Sequence, residues 1–238
     1  RKAASTAVAG EWQTITDVLG GPSLVQNDTD RRMAADVSAN GFPIGIFDGS
    51  DVTRMPLHAG NFNTSKFGWS IWLRPVATNS QYFYVIYNND ATNRTLTWGV
   101  STGGALFIEI YIATKVDGRR YLTAGGVVVA NAWQYPRFQI DCTRTAECDT
   151  TGLITDAKVR AFMGEVAIPL TASNIGLGGV LTTLRTPNLV TGAAIIGGVN
   201  DSDTPGAPLF NLTREGPNGY IWTATPSPQQ AANVMAFE

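Results

Sequence analysis

The chain has 238 residues, 44% of them apolar, with a formal charge of -2, 15% charged residues, 25 Gly and 12 Pro. That length is enough to bury a sizeable core, and all-β sandwiches often use it as a single domain. The weak charge argues against electrostatic capture of nucleic acid or an anionic membrane, and no apolar run approaches the ~20 residues that span a bilayer.

The first twenty residues are rich in small side chains and read as an arm, with Glu11 to Leu19 a short strand or helix turn. Gly20-Gly21-Pro22 marks the break, so residues 1–20 are expected to form an N-terminal arm and residues 21–238 the main domain. Ile44 to Phe47 and Val52 to Leu57 flank Asp48-Gly49, where Gly supplies positive φ cheaply, and this spacing predicts a hairpin. From Phe67 to Leu73 the residues Phe67, Trp69, Ile71 and Leu73 alternate with Gly68, Ser70 and Trp72, the period of a strand with one face in the core. Gln81 to Tyr87 is apolar on both faces, as a central strand would be.

Leu96 to Val100, Ala105 to Ala113, Arg119 to Ala124 and Val127 to Val129 follow at antiparallel spacing, with Gly103-Gly104 and Asp117-Gly118 as turns. Trp133 to Ile140, Lys158 to Met163, Glu165 to Leu170, Ala193 to Val199 and Tyr220 to Ala224 complete about a dozen expected strands, enough for two stacked sheets. Ser227-Pro228-Gln229-Gln230 then opens a closing helix, with Ser as N-cap, Pro at the first helical position and Gln three residues after the cap. The expectation is an all-β, two-sheet antiparallel sandwich with a short C-terminal helix.

Four phrases in this order carry a family resemblance. They are Phe47-Asp48-Gly49 with Asp51, then Ser70, Trp72 and Pro75, then Trp133 to Asp141, and last Gly219-Tyr220-Ile221 leading to Ser227-Pro228. The arrangement resembles the laminin-G-like branch of the concanavalin A-like lectin/glucanase superfamily, a jelly roll, over about Leu24 to the C-terminus. Met163-Gly164-Glu165 replaces the family's Asn-Gly or Asp-Gly turn, and Trp222 stands where an acidic residue is common. The resemblance implies fold more than task, because unrelated functions share such scaffolds.

The residues limit the chemistry. His58 is the one histidine and lies in a Pro56 to Gly60 turn, so a nucleophile–His–acid arrangement could use only that residue, and it reads as a solvated loop histidine. The Glu-x-Asp-x-x-Glu string of retaining glycosidases is absent, so no catalytic residue is assigned. Cys142 and Cys148 either close a small loop or remain thiols, and two thiolates alone fall short of a zinc site. No cofactor is expected. Asn200 to Asp203 and Asn88 to Asp90 offer oxygen ligands that calcium would accept, although plain turn chemistry accounts for both and no metal ligand is assigned.

Glu109 lies inside the apolar run Phe107 to Tyr111 and shares a face with Phe107 and Tyr111. A carboxylate beside aromatic rings can hold sugar hydroxyls or act as an acid, while the plainer reading is a solvent-facing residue of the outer sheet. Flat rings stack on pyranose faces, so Trp72, Tyr82, Tyr84, Phe107, Glu109 and Tyr111 form the candidate carbohydrate-binding set, against core packing for each ring. Two function classes follow. The first is a non-enzymatic structural or adhesive module, a virion component such as a phage capsid decoration, fibre or tail protein, or a bacterial surface adhesin, partnered by copies of itself or other virion or surface proteins. The second is a secreted or surface carbohydrate-binding module whose partner is a glycan; a glycoside hydrolase is a distant third. Either class places the chain on a virion, outside the cell or at its surface.

Overall fold

The structure is a computed structural model that describes the strands named below and residues 32, 71–72, 75, 78, 102–104, 123–135, 164–165, 169–170 and 176. The early strands are β1 (Ser5–Val8), β2 (Glu11–Ile15), β3 (Leu24–Val25), β4 (Ala34–Val37), β5 (Pro43–Asp48) and β6 (Thr53–Pro56). The middle of the chain gives β7 (Lys66–Ser70), β8 (Leu73–Arg74), β9 (Gln81–Tyr87), β10 (Arg94–Ser101), β11 (Ala105–Tyr111) and β12 (Gly118–Leu122). Then come β13 (Pro136–Asp141), β14 (Val159–Met163), β15 (Val166–Ile168) and β16 (Thr171–Ile175). β17 (Ala193–Ile196), β18 (Asn211–Glu215) and β19 (Tyr220–Trp222) complete the set.

These strands build two antiparallel sheets, so the fold is an all-β sandwich. A 14-stranded sheet runs β16-β12-β11-β10-β9-β17-β6-β3-β2-β4-β5-β18-β8 with β1 against β2, and a five-stranded sheet runs β15-β14-β13-β7-β19. Alternation explains which faces meet. Trp69, Ile71 and Leu73 are buried, as are Leu96, Trp98 and Val100 of β10 and Phe138 and Ile140 of β13. Trp98 is the junction: its ring meets Trp69 edge-on at 4.9 Å and 84°, and Phe138 at 5.1 Å and 59°. One residue of the large sheet is thus wedged between two of the small sheet, and edge-to-face rings add to what their buried area contributes.

Several elements differ from expectation. Asp48-Gly49 does not close a hairpin, because β5 pairs with β4 and β18 while β6 pairs with β17 and β3. The sequence marks a change of direction there, and long-range pairing chooses the neighbours. Val127 to Val129 is a loop. Val128 donates its N–H to the Gly104 carbonyl, and Val129 has both its N–H and carbonyl bonded by the Gln134 side chain, so no ladder forms. Glu11–Ile15, where the sequence allowed a short strand within the N-terminal arm, forms β2, which pairs with β3 and β4. Thr171–Ile175 forms β16, a strand the sequence pattern did not single out, on the edge beside β12. The closing helix, Phe67's side chain, His58, Cys142, Cys148 and both oxygen-rich loops lie outside the described residues.

The turn between β10 and β11 uses two glycines with φ of +85° and +76°. At Gly104 a Cβ would come within 2.3 Å of the Val128 carbonyl oxygen, so the loop can lie on this turn only because the side chain is missing.

Candidate functional site

β11 carries the site because its neighbours are in strict register. Glu109 pairs with Thr97 of β10 on one side and with Arg120 of β12 on the other, so the three side chains form one row across the sheet. Phe107 and Tyr111 lie two residues either way on the same face, opposite the core-facing Leu106, Ile108 and Ile110.

The solvent-facing reading of Glu109 is overturned: the residue is 4% exposed. Its carboxylate is held on both oxygens. Thr97 Oγ1 donates to Oε2 at 2.7 Å and the Tyr111 hydroxyl donates to the same oxygen at 2.8 Å. Arg120 donates Nε to Oε1 at 2.8 Å and reaches that oxygen again through Nη2, completing an ion pair. The Arg120 guanidinium also lies 5.7 Å from the centroid of the Phe107 ring. Thr97 is fully buried, Tyr111 is half-buried and the Arg120 side chain is 46% exposed, so the row grades from a fixed interior anion to a cation and a phenol ring at the surface.

Such an arrangement suits binding. Glu109 is fixed by four donors, and what it fixes is the geometry of Arg120 and Tyr111, whose outer edges remain within reach of solvent.

Of the sequence-derived candidates, Phe107, Glu109 and Tyr111 are brought together. Trp72 is not brought to them. It follows β7 of the five-stranded sheet, where its ring lies 5.1 Å from that of Tyr135. In backbone register Tyr82 stands opposite Gly99, a position of the Glu109 face, whereas Tyr84 stands opposite Trp98, a position of the core face. A bulge between Trp98 and Gly99 causes the split, and the side chains of Tyr82 and Tyr84 lie outside the described residues. Sequence reasoning missed Thr97 and Arg120. Their signal was available in the Arg119-Arg120 pair after a turn, since counting outward from the β11–β12 connection sets one of the two opposite Glu109.

A second group occupies the outer face of the five-stranded sheet. The Ser70 and Tyr135 hydroxyls lie 2.8 Å apart, and Arg137, paired in register with Ser70, stacks over the Phe162 ring at 4.2 Å. Burial pushes the Arg137 guanidinium below its ordinary value, offset in part by Tyr135 and Glu165. A cation whose folded value is depressed opposes folding at every pH below that value. Since arginine stays charged across the accessible range, the penalty is constant there.

No protein-family model and no curated protein sequence matches the chain. Solved structures do. The receptor-binding domain of botulinum neurotoxin C/D mosaic serotype superposes with a TM-score of 0.54 at 8% identity, covering 90% of this chain and 50% of that one. The binding domain of botulinum neurotoxin DC in complex with rat synaptotagmin II gives 0.51 at 10%, covering 90% and 51%. The Ruminococcus gnavus IT-sialidase CBM40 bound to α2,3 sialyllactose gives 0.47 at 10%, covering 72% and 83%, a score below 0.5 that carries no argument. The chain spans about half the length of the toxin domains it matches, and at these identities the likeness is one of fold. Among the described residues no helix is long and apolar enough to cross a membrane.

Proposed function

We propose that this chain is a non-enzymatic adhesive module that recognises a glycan or glycosylated receptor through the outer face of its large sheet. The observation that supports this reading is the Glu109 row: a buried carboxylate with both oxygens engaged, carrying Arg120 and Tyr111 at its exposed end. A carboxylate so held is poorly placed as nucleophile or acid, whereas a fixed guanidinium and phenol offer donors and a ring to a sugar. Phe107, Glu109 and Tyr111, with Tyr82 beside them in register, are the core of the proposed carbohydrate-binding set. Trp72 and Tyr84 fall outside that row.

The finer reading is a laminin-G-like head, with residues 1–20 as an arm, displayed on a virion as a capsid decoration, fibre or tail component and assembled with copies of itself. A secreted carbohydrate-binding module would use the same face and differ in remaining a monomer.

A glycan array tests the common claim. Binding by the wild type that is lost in Tyr111→Ala and Arg120→Ala is expected; equal binding by both variants would sink it. Polysaccharide turnover abolished by Glu109→Gln would replace it with an enzyme. Light scattering with and without residues 1–20 separates the two contexts, with loss of self-association on deletion expected for the displayed head.

A further inference from the structure

The Glu109 row does not stop at Arg120. In register Arg120 of β12 stands opposite Ser173 of β16, so a hydroxyl continues the row on the same face. Among the described strands β16 is the last of the large sheet at that end. Exposure climbs along the row, from buried Thr97 and Glu109 to the part-exposed Arg120 side chain and an exposed Ser173. The open part of this face is therefore its β12–β16 end, and what it offers a ligand depends on how Arg120 is used. Nε and Nη2 are turned onto Glu109 Oε1, whereas Nη1 lies on the opposite edge of the guanidinium and takes no part in that pair.

Charge is balanced locally. Among the described residues, the outward positions of β10, β11, β12 and β16 hold one carboxylate, Glu109, and one cation, Arg120. The neighbouring Arg119 has the other parity, and its guanidinium donates to Asn174 Oδ1. Resting on the glycan-binding reading above, we propose that the binding row extends to Ser173 and selects uncharged sugars, with Arg120 Nη1 and the Ser173 hydroxyl taking neighbouring hydroxyls of the ligand. An acidic sugar would bring a second anion to a guanidinium whose charge Glu109 already offsets, and would lose hydration in doing so. A sugar hydroxyl carries no such penalty, and a serine hydroxyl, donor and acceptor at once, suits a partner that is also both.

An oligogalactoside and an oligogalacturonate of equal length differ chiefly in charge, and calorimetric titration of the full chain with each, and with cellohexaose and mannohexaose as further neutral probes, tests this. A neutral oligosaccharide is expected to bind at least about 10-fold more tightly than the oligogalacturonate, with an affinity that changes less than about 2-fold between about 50 and about 500 mM NaCl. Ser173→Ala is expected to weaken the neutral ligand about 5-fold. Ser173→Lys, an exposed change that leaves the core untouched, and Glu109→Gln, which frees the Arg120 charge, are each expected to raise oligogalacturonate affinity about 10-fold. Tighter binding of oligogalacturonate by the wild type, lost in Arg120→Ala, would overturn the selectivity and leave the glycan reading in place. Neutral binding that is unchanged in Ser173→Ala would overturn the extension of the row, and a preference for neutral sugars that neither charge variant alters would overturn its electrostatic basis. Binding of neither class would remove the glycan reading and this inference with it.

Discussion

Two charges sit on the outer faces of the two sheets, and they are opposite in how they are treated. Glu109 and Arg137 are about equally buried, at 4% and 5% exposure, yet Glu109 is engaged by Thr97, Tyr111 and Arg120 while two nitrogens of Arg137 meet no acceptor among the described residues. The difference teaches that burial alone does not say what a charged side chain does. A satisfied ion pair is a fixed part of the framework, and its exposed partner inherits that rigidity. A charge with unsatisfied nitrogens weakens the framework instead.

Substitutions can break this contrast or sharpen it. The largest effect is expected at Trp98, whose ring separates the two faces: Trp98→Ala should cost about 4 kcal/mol in denaturant unfolding and disturb both faces together. Glu109→Ala should cost about 3 kcal/mol, since it strips Thr97 of its acceptor and leaves a void beside Phe107. On the small sheet, Ser70→Ala should cost about 1.5 kcal/mol by removing the hydroxyl that the buried Tyr135 phenol meets, a loss read in the same unfolding experiment. Arg137→Met should have the opposite sign, leaving the protein unchanged or about 1 kcal/mol more stable. If Glu109→Ala and Arg137→Met shift stability in the same direction by similar amounts, the contrast fails.

The fold was legible where alternation is strong. Trp69, Ile71 and Leu73 announce an inward face by their spacing, and the apolar run of β11 marks a strand buried on both faces. The same reasoning could not say which strands are neighbours. Asp48-Gly49 has the chemistry of a tight turn, but a turn fixes only a change of direction, and the partners of β5 come from residues 34–37 and 211–215. That limit also governed the site. Phe107, Glu109 and Tyr111 share a face by parity within one strand, which sequence shows directly. Placing Trp72 beside them required knowing to which sheet it belongs, and parity is silent on that. Arg137 was invisible for a related reason: Tyr-Pro-Arg-Phe-Gln-Ile alternates as a half-exposed strand would, and nothing local reveals that its polar face is covered too.

The wedge of Trp98 between Trp69 and Phe138 has a practical corollary. Indoles shut away from water emit at shorter wavelength than hydrated ones, and Trp98 and Trp69 are placed so that any separation of the layers wets both at once. Intrinsic fluorescence should thus register the parting of the two sheets as a single cooperative red shift, giving a label-free optical gauge of whether the layers stay clasped when either outer surface is altered.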